Sequence, residues 1–503
     1  MIYNVLQYLE KDAESIPDRI ALADEFSSMT YKEYMLTAKI IGTYLNKAVN
    51  GRTESPIAVL VDRNIRSICA FIGVVYSGNF YVPIDTSMPE DRVRLIYEVL
   101  DPVYIIDARN NEGSETSDKT GRYSEITADT QIDEKELGII RERSIDTDPL
   151  YSIFTSGSTG IPKGVLISHR SVIDLVGSFE EAFGFDETNV FGNQAPFDFD
   201  VSVKDIFNAL YAGAAVQVIP KRLFKTPKPL LEYLRDKKID TLIWAVSALR
   251  IISDFRALDD EDITLKNIMF SGEVMPVKSL NYWMDRIPDA RYVNLFGPTE
   301  ITCNCTYYVI DKNTRYKDDD KIPIGRSFKN CRVFLMGDNG VIDKCNEIGE
   351  ICVEGTCLAL GYWNSSEKTD AVFVADPNIT AYENKMYKTG DLGYYNGDHD
   401  LVFASRKDHQ IKHMGHRIEL GEIEVALNAI PFLTIACCIY DEAREKIVCH
   451  YQSTEERKKD IVIGLSKKLP KYMWPNVYVR HDALPLNKNG KIDRVALKQY
   501  ISE

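Results

Sequence analysis

Phe154-Thr155-Ser156-Gly157-Ser158-Thr159-Gly160-Ile161-Pro162-Lys163-Gly164 is the most informative stretch of the 503-residue sequence. Three glycines let the backbone turn tightly and bring N–H groups close to an anion. The hydroxyls of Thr155, Ser156, Ser158 and Thr159 add donors for phosphate oxygens, and Lys163 adds positive charge. A Walker A loop has Gly directly before the Lys and Ser or Thr directly after it. Here Pro162 and Gly164 hold those places, so this is a phosphate loop of another kind, or else a Gly/Ser-rich surface loop.

Outward from the loop, β-rich runs such as Ile57 to Val61, Val103 to Ile106 and Ala215 to Ile219 alternate with amphipathic stretches such as Ile65 to Tyr76 and Pro229 to Lys237. That alternation predicts an α/β fold with largely parallel sheets flanked by helices. Polar stretches at 110–119 and 315–321 read as surface loops. The last hundred residues change to a mixed α+β pattern. The boundary expected from this change is a hinge near Asp408, with a large N-terminal domain at 1–407 and a small, mobile C-terminal domain at 408–503.

A formal net charge of −15 argues against coating nucleic acid or an anionic membrane, both of which need a basic surface. No apolar stretch reaches the ~18 residues of a membrane span, so no membrane insertion is expected and the compartment is cytoplasmic by default. The ten cysteines are scattered without zinc-site spacing and read as reduced, mostly core residues.

Further motifs follow in order: Met29 to Tyr34, Tyr76 to Asp85, Asn294-Leu295-Phe296-Gly297-Pro298-Thr299-Glu300, Gly349-Glu350-Ile351, Tyr387 to Leu392, Ser405 to Lys412, Gly415 to Glu424, Leu469 to Pro475 and Asn489-Gly490-Lys491-Ile492-Asp493-Arg494. With the glycine loop they resemble the adenylate-forming superfamily of acyl-CoA synthetases, luciferases and peptide-synthetase adenylation domains. The wording is most similar to amino-acid adenylation domains, particularly D-alanine:carrier-protein ligases. What the resemblance implies is ATP-dependent, Mg2+-assisted formation of an aminoacyl adenylate, then transfer to the phosphopantetheine thiol of an acyl or peptidyl carrier protein. No carrier segment is visible in the sequence, so the carrier is expected in trans.

Joining a carboxylate to the α-phosphate of ATP brings two anions together, so cations and preorganised donors should dominate the site. By resemblance, Lys491 bridges carboxylate and α-phosphate, and Lys412 and Arg417 join it as catalytic cations. Thr299 bonds a phosphate oxygen, and Glu300 holds the metal. Phe296 stacks on adenine with Asn294 at the purine edge and Gly297 beside it. Asp391 binds the ribose diol, and Arg406 lies near ribose or phosphate. Ser405 stands where the family usually has Gly before the hinge.

Asp200 decides the substrate class, because adenylation domains pair an aspartate at this place with the α-ammonium. Read without that context, it is a helix N-terminal Asp beside Ser202. The resemblance carries the rest of the pocket onto Val201, Lys204, Ile243, Met269, Ser271, Leu295, Cys303 and Asn304. D-alanine ligases have an apolar residue where Lys204 stands and Cys where Ser271 stands. Lys204 therefore either reads an acidic side chain, or points outward or pairs with a neighbouring acid such as Asp205, or serves a polar or unusual amino acid. The rival readings are an acyl-CoA synthetase of the same fold and a non-catalytic adenylate-fold binding protein.

Overall fold

The structure is a computed structural model. It describes every residue except 1, 114–117, 158–159, 319, 383, 408–409, 487–491 and 500–503, and the side chains of Val495 and Gln499. Two compact units emerge: Met1–Asp85 with Leu100–Ile153 and Gly164–Lys407, and Thr86–Val99 with Phe154–Lys163 and Asp408–Glu503.

The first unit is built on three sheets. One has nine strands, in the order Arg326–Ser327, Thr306–Val309, Arg291–Phe296, Asn267–Ser271, Thr241–Ala245, Val190–Asn193, Ala215–Val218, Ile20–Ala23 and Ser28–Thr30. Its interior pairs are parallel and its two margins antiparallel. A second has seven strands, with Pro56–Val61 paired in parallel between Phe80–Asp85 and Tyr104–Asp107. The third is antiparallel, built around Cys331–Gly337, Gly349–Gly355 and Lys385–Tyr395. The predicted strands and the helix Ile65–Tyr76 are present, and the second amphipathic stretch forms Pro227–Asp236.

Local sequence explains where helices begin. Thr30 and Glu33 form a reciprocal capping box at the start of Tyr31–Ala48, and the Asn64 side chain caps Ile65–Tyr76 by accepting from the Ser67 N–H. Arg63 then ties the two parallel sheets together. Its guanidinium donates to the carbonyls of Ile219, Gln194 and Asn193 at 2.7–2.8 Å.

Strand alternation decides which side chains reach the site. Ile243, Met269 and Val293 lie side by side in parallel register, as do Ala245 and Ser271. Successive strand residues point to opposite faces. Leu242, Trp244, Ile268, Phe270 and Tyr292 thus enter one apolar cluster, while Ile243, Met269, Val293 and Leu295 enter another. The helix Val201–Ala212 supplies Val203, Ile206, Phe207 and Leu210 to that second cluster, and Gly213 in the left-handed region ends it.

The second unit contains the hairpin Gln410–His413/His416–Glu419 and a three-stranded sheet, Ile435–Asp441, Lys446–Gln452 and Val477–His481. Helices Leu420–Asn428 and Lys458–Ser466 close its own core around Ile418, Ile423, Leu427, Ile461 and Leu465. Among the described residues, no helix is long and apolar enough to cross a membrane.

Candidate active site

In the first unit, Asp200 directly precedes the helix Val201–Ala212, and its side chain makes no capping hydrogen bond. Asp200 thus stands at the helix N-terminus, as its alternative reading has it, but without a capping hydrogen bond from its side chain. Lys204 follows four residues later, so both side chains project from one helix face. The Cys303 thiol donates to the Asp200 carbonyl at 3.0 Å, which fixes the loop after strand Arg291–Phe296 against this helix end.

Lys204 points inward, with 1% of its surface exposed. Its Nζ donates to the Ser271 hydroxyl at 3.0 Å, and among the described residues no carboxylate forms an ion pair with it. Lys204 thus does not face outward, and Asp200 and Asp205 act on it as neighbouring charges without a direct ion pair. Asp205 instead accepts from Asn193 Nδ2 at 2.9 Å. Burial lowers the Lys204 pKa against the opposing effects of Cys303, Asp200 and Asp205. Burial likewise pushes Asp205 up to about 7, even though Asn193, Lys204 and Arg63 favour its charged form.

Ile243, Met269 and Leu295 are buried beside this cluster, and Val201 is half-buried. Asn304 is 1% exposed, and neither its amide nitrogen nor its amide oxygen has a partner among the described residues. Gly297 is required here: a Cβ on it would lie 2.6 Å from both Asn304 Cα and the Cys303 carbonyl oxygen.

The same unit holds the expected purine, ribose and metal residues. Asn294 Nδ2 donates to the Pro323 carbonyl at 2.8 Å, and Phe296 ends its strand buried, 6.5 Å from the Phe403 ring. Thr299 and Glu300 sit in a short turn, and Glu300 is fully buried. The Tyr362 hydroxyl donates to Glu300 Oε1 at 2.8 Å, and the Ala359 N–H donates to the Glu300 carbonyl at 2.9 Å. Asp391 and Arg406 lie opposite each other on paired strands, with Arg406 Nη1 2.8 Å from Asp391 Oδ1. The motif residue Glu350 accepts from the Gly390 N–H and from Lys407 Nζ, each at 3.2 Å, on the residues next to Asp391 and Arg406.

In the second unit the two glycines on either side of Ser158 and Thr159 are hydrogen-bonded to each other. The Gly160 N–H donates to the Gly157 carbonyl at 2.9 Å, and a Cβ on Gly157 would meet the Ile161 oxygen at 2.1 Å. Gly160 has φ +81°, a left-handed conformation that suits glycine. Thr155 Oγ1 reaches the Lys163 carbonyl at 3.5 Å, and the Ser156 hydroxyl donates to the Arg417 carbonyl at 2.9 Å. Lys412 and Arg417 face each other across the hairpin, where Arg417 Nε donates to Gln410 Oε1 at 2.6 Å. Ser158, Thr159, Asp408 and Lys491 lie outside the described residues. Leu486 and Ile492, which flank residues 487–491, form an antiparallel bridge.

Three residues given no role from sequence belong with these groups. Tyr362 supports Glu300, as above. Glu422, in the first turn of Leu420–Asn428, forms a buried ion pair with Arg92. Burial pushes the Glu422 carboxyl up to about 7, while Arg92 and the Gly157 amide favour its charged form. Glu422 stands within the Gly415 to Glu424 motif, but its partners are remote in sequence, and no local signal exposes such a pair.

A family described as AMP-binding enzyme matches residues 9–363. The chain belongs to that family. Tyrocidine synthase 1 of Brevibacillus parabrevis is 31% identical over 504 residues, a match covering 99% of this chain and 45% of that protein. Bacitracin synthase 1 of Bacillus licheniformis is 32% identical over 498 residues, covering 98% of this chain and 9% of the relative. This AMP-binding enzyme therefore spans less than half the length of these relatives. Among solved structures, holo-PA1221, described as an NRPS protein containing adenylation and PCP domains, superposes with TM-score 0.85 at 24% identity, covering 99% of this chain and 84% of that one. The o-succinylbenzoate CoA synthetase MenE of Bacillus subtilis superposes with TM-score 0.83 at 19% identity, covering 99% and 98%. The fold is thus the mixed α/β architecture of adenylate-forming proteins.

Proposed function

We propose that this AMP-binding enzyme activates an amino acid with ATP and passes it to a carrier-protein thiol. In the first step a carboxylate oxygen of the amino acid attacks the α-phosphorus, the bond to the bridging oxygen breaks, and pyrophosphate leaves with the electron pair. In the second, the phosphopantetheine sulfur attacks the acyl carbon, AMP leaves, and the thiol proton passes to solvent. ATP is a cytoplasmic substrate, which supports a cytoplasmic enzyme.

The residues fit these substrates. A Cβ on Gly157 would meet the Ile161 oxygen at 2.1 Å, so this position keeps the bare backbone that a phosphate cradle demands. The Lys163 cation and the hydroxyls of Thr155, Ser156 and Thr299 suit phosphate oxygens. Glu300 offers a buried carboxylate oxygen held by Tyr362, and one carboxylate plus phosphates is the usual setting of Mg2+. Such an ion would neutralise charge on the phosphates. Asp391, Arg406, Phe296 and Asn294 are assigned to the nucleoside, and Lys491, Lys412 and Arg417 to charge developing at the α-phosphate. The assignment divides the work between residues 1–407, which bind ATP and amino acid, and 408–503, which carry Lys491.

The observation that carries the amino-acid reading is Asp200, a carboxylate at a helix start whose charge acts on the buried Lys204 and Cys303. A carboxylate presented in this way supports recognition of an α-ammonium, which an acyl-CoA synthetase substrate lacks. The test is mass spectrometry of the enzyme-bound nucleotide after incubation with ATP, Mg2+ and amino-acid pools. Aminoacyl-AMP is the expected species; an acyl-AMP without nitrogen in its acyl group would replace this reading with the acyl-CoA synthetase one.

A further inference from the structure

Three segments remote in sequence meet inside the second unit: residues 90–99, the glycine loop and residues 416–428. The Ser156 hydroxyl of the loop donates to the Arg417 carbonyl at 2.9 Å, and a Cβ on Gly160 would lie 3.2 Å from Val425 Cγ1. Glu422 stands between these two contacts in sequence. Its Oε1 binds Arg92, its carboxyl feels the Gly157 amide, and its Oε2 is buried with no hydrogen-bond partner among the described residues. A buried ion pair is a poor source of stability, since desolvating two charges offsets much of their attraction, and its best-attested use is to fix register. Here the register is that of the glycine loop against residues 416–428.

Few charges act on Glu422. Arg92 and the Gly157 amide favour its ionised form, while burial and Glu419, on the preceding strand, favour the protonated one, and burial weighs most. A new charge beside the loop therefore tips the balance. ATP, as the reading above has it, brings several negative charges to the Gly157 amide. An ionised Glu422 would repel them. A protonated one would donate from Oε2 to a phosphate oxygen, completing the atom that has no partner.

Resting on the assignment of the glycine loop to the phosphates of ATP, we infer that Glu422 is a positioning residue for that loop and takes a proton from solvent as ATP binds. Arg92 holds the carboxyl in place, and neutralising it leaves the Gly157 N–H to serve phosphate alone.

Calorimetric titration of the full chain with ATP and Mg2+, without amino acid, in buffers of different ionisation enthalpy counts the protons taken up. At pH 7.5 a carboxyl titrating at about 7 is about one-quarter protonated; made a tenfold weaker acid by the phosphates, it is about three-quarters protonated. The native protein should therefore take up about half a proton per ATP more than Glu422→Gln, which has no such proton to bind. By the same linkage, native ATP affinity should fall about eightfold more than that of Glu422→Gln between pH 6 and pH 9. Arg92→Met removes the cation that favours the ionised form, so its free protein already holds the proton and its uptake should fall toward the Glu422→Gln value. A Glu422 that served structure alone would weaken binding in the variant at every pH without changing the proton count. Equal counts in the native protein and Glu422→Gln, or an Arg92→Met count equal to the native one, overturn the inference and leave the loop assignment intact. A native protein that binds no ATP overturns that assignment as well.

Discussion

Glu422→Gln separates burial from ion pairing at the carboxyl that faces Arg92. Both partners are nearly inaccessible, at 6% and 2% side-chain exposure. The Glu422 pKa is raised from 4.5 to about 7, with burial outweighing Arg92 and the Gly157 amide. Because the folded value lies above the unfolded one, folding favours the protonated carboxyl. Stability from this group is greatest below about pH 4.5, is lost as pH rises toward 7, and levels off above. At ~1.4 kcal/mol per unit, the native protein should lose about 2.5 kcal/mol between pH 5 and pH 8 through Glu422 alone. The glutamine variant lacks that titration. It also leaves Arg92 buried without its carboxylate, a cost that adds a constant offset because arginine does not titrate in this range. Urea unfolding of both proteins at several pH values gives the difference in stability, from which other groups near 7, such as Asp198 and Asp205, cancel. The variant should gain on the native protein by about 2.5 kcal/mol from pH 5 to pH 8. A flat difference, or a native protein that gains stability with rising pH relative to the variant, would refute the dominance of burial and make Arg92 the controlling partner.

Lys491→Ala should reduce adenylate formation by about 10²–10³-fold, while thioester formation from a supplied adenylate survives; equal loss in both steps, measured separately, would remove its assignment to the α-phosphate. Asp408→Pro, by fixing φ, should impair carrier loading more than pyrophosphate exchange, and two unaffected steps would show that no hinge is needed there. Gly157→Ala places a methyl 2.1 Å from the Ile161 oxygen, so the loop must shift. Its KM for ATP in pyrophosphate exchange should rise at least tenfold, the factor for about 1.4 kcal/mol of lost binding, and an unchanged KM would mean that the turn does not bind phosphate.

Much of this molecule was legible because the relevant signals are local. The β-rich runs and the glycine loop are each contained within a few residues. Strand alternation also explains how Ile243, Met269 and Leu295 reach one face. What stayed hidden depends on long-range packing. Lys204 meets Ser271 across 67 residues, and Arg92 meets Glu422 across 330. Neither distance leaves a periodic trace, so sequence left the orientation of Lys204 open and gave Glu422 no task. Asp391 and Arg406 were each assigned to the nucleotide, yet they also bind each other, because strand register sets them opposite.

The central claim, that Asp200 selects an α-amino acid for adenylation, is tested most directly by pyrophosphate exchange with an accepted amino acid and its des-amino analogue, in the native protein and in Asp200→Ala. The account predicts that the native protein prefers the amino acid by at least about 30-fold and that the variant loses this preference, since one partner of a charge pair is gone. Equal activity with both acids in the native protein, or a preference that survives in Asp200→Ala, would contradict it.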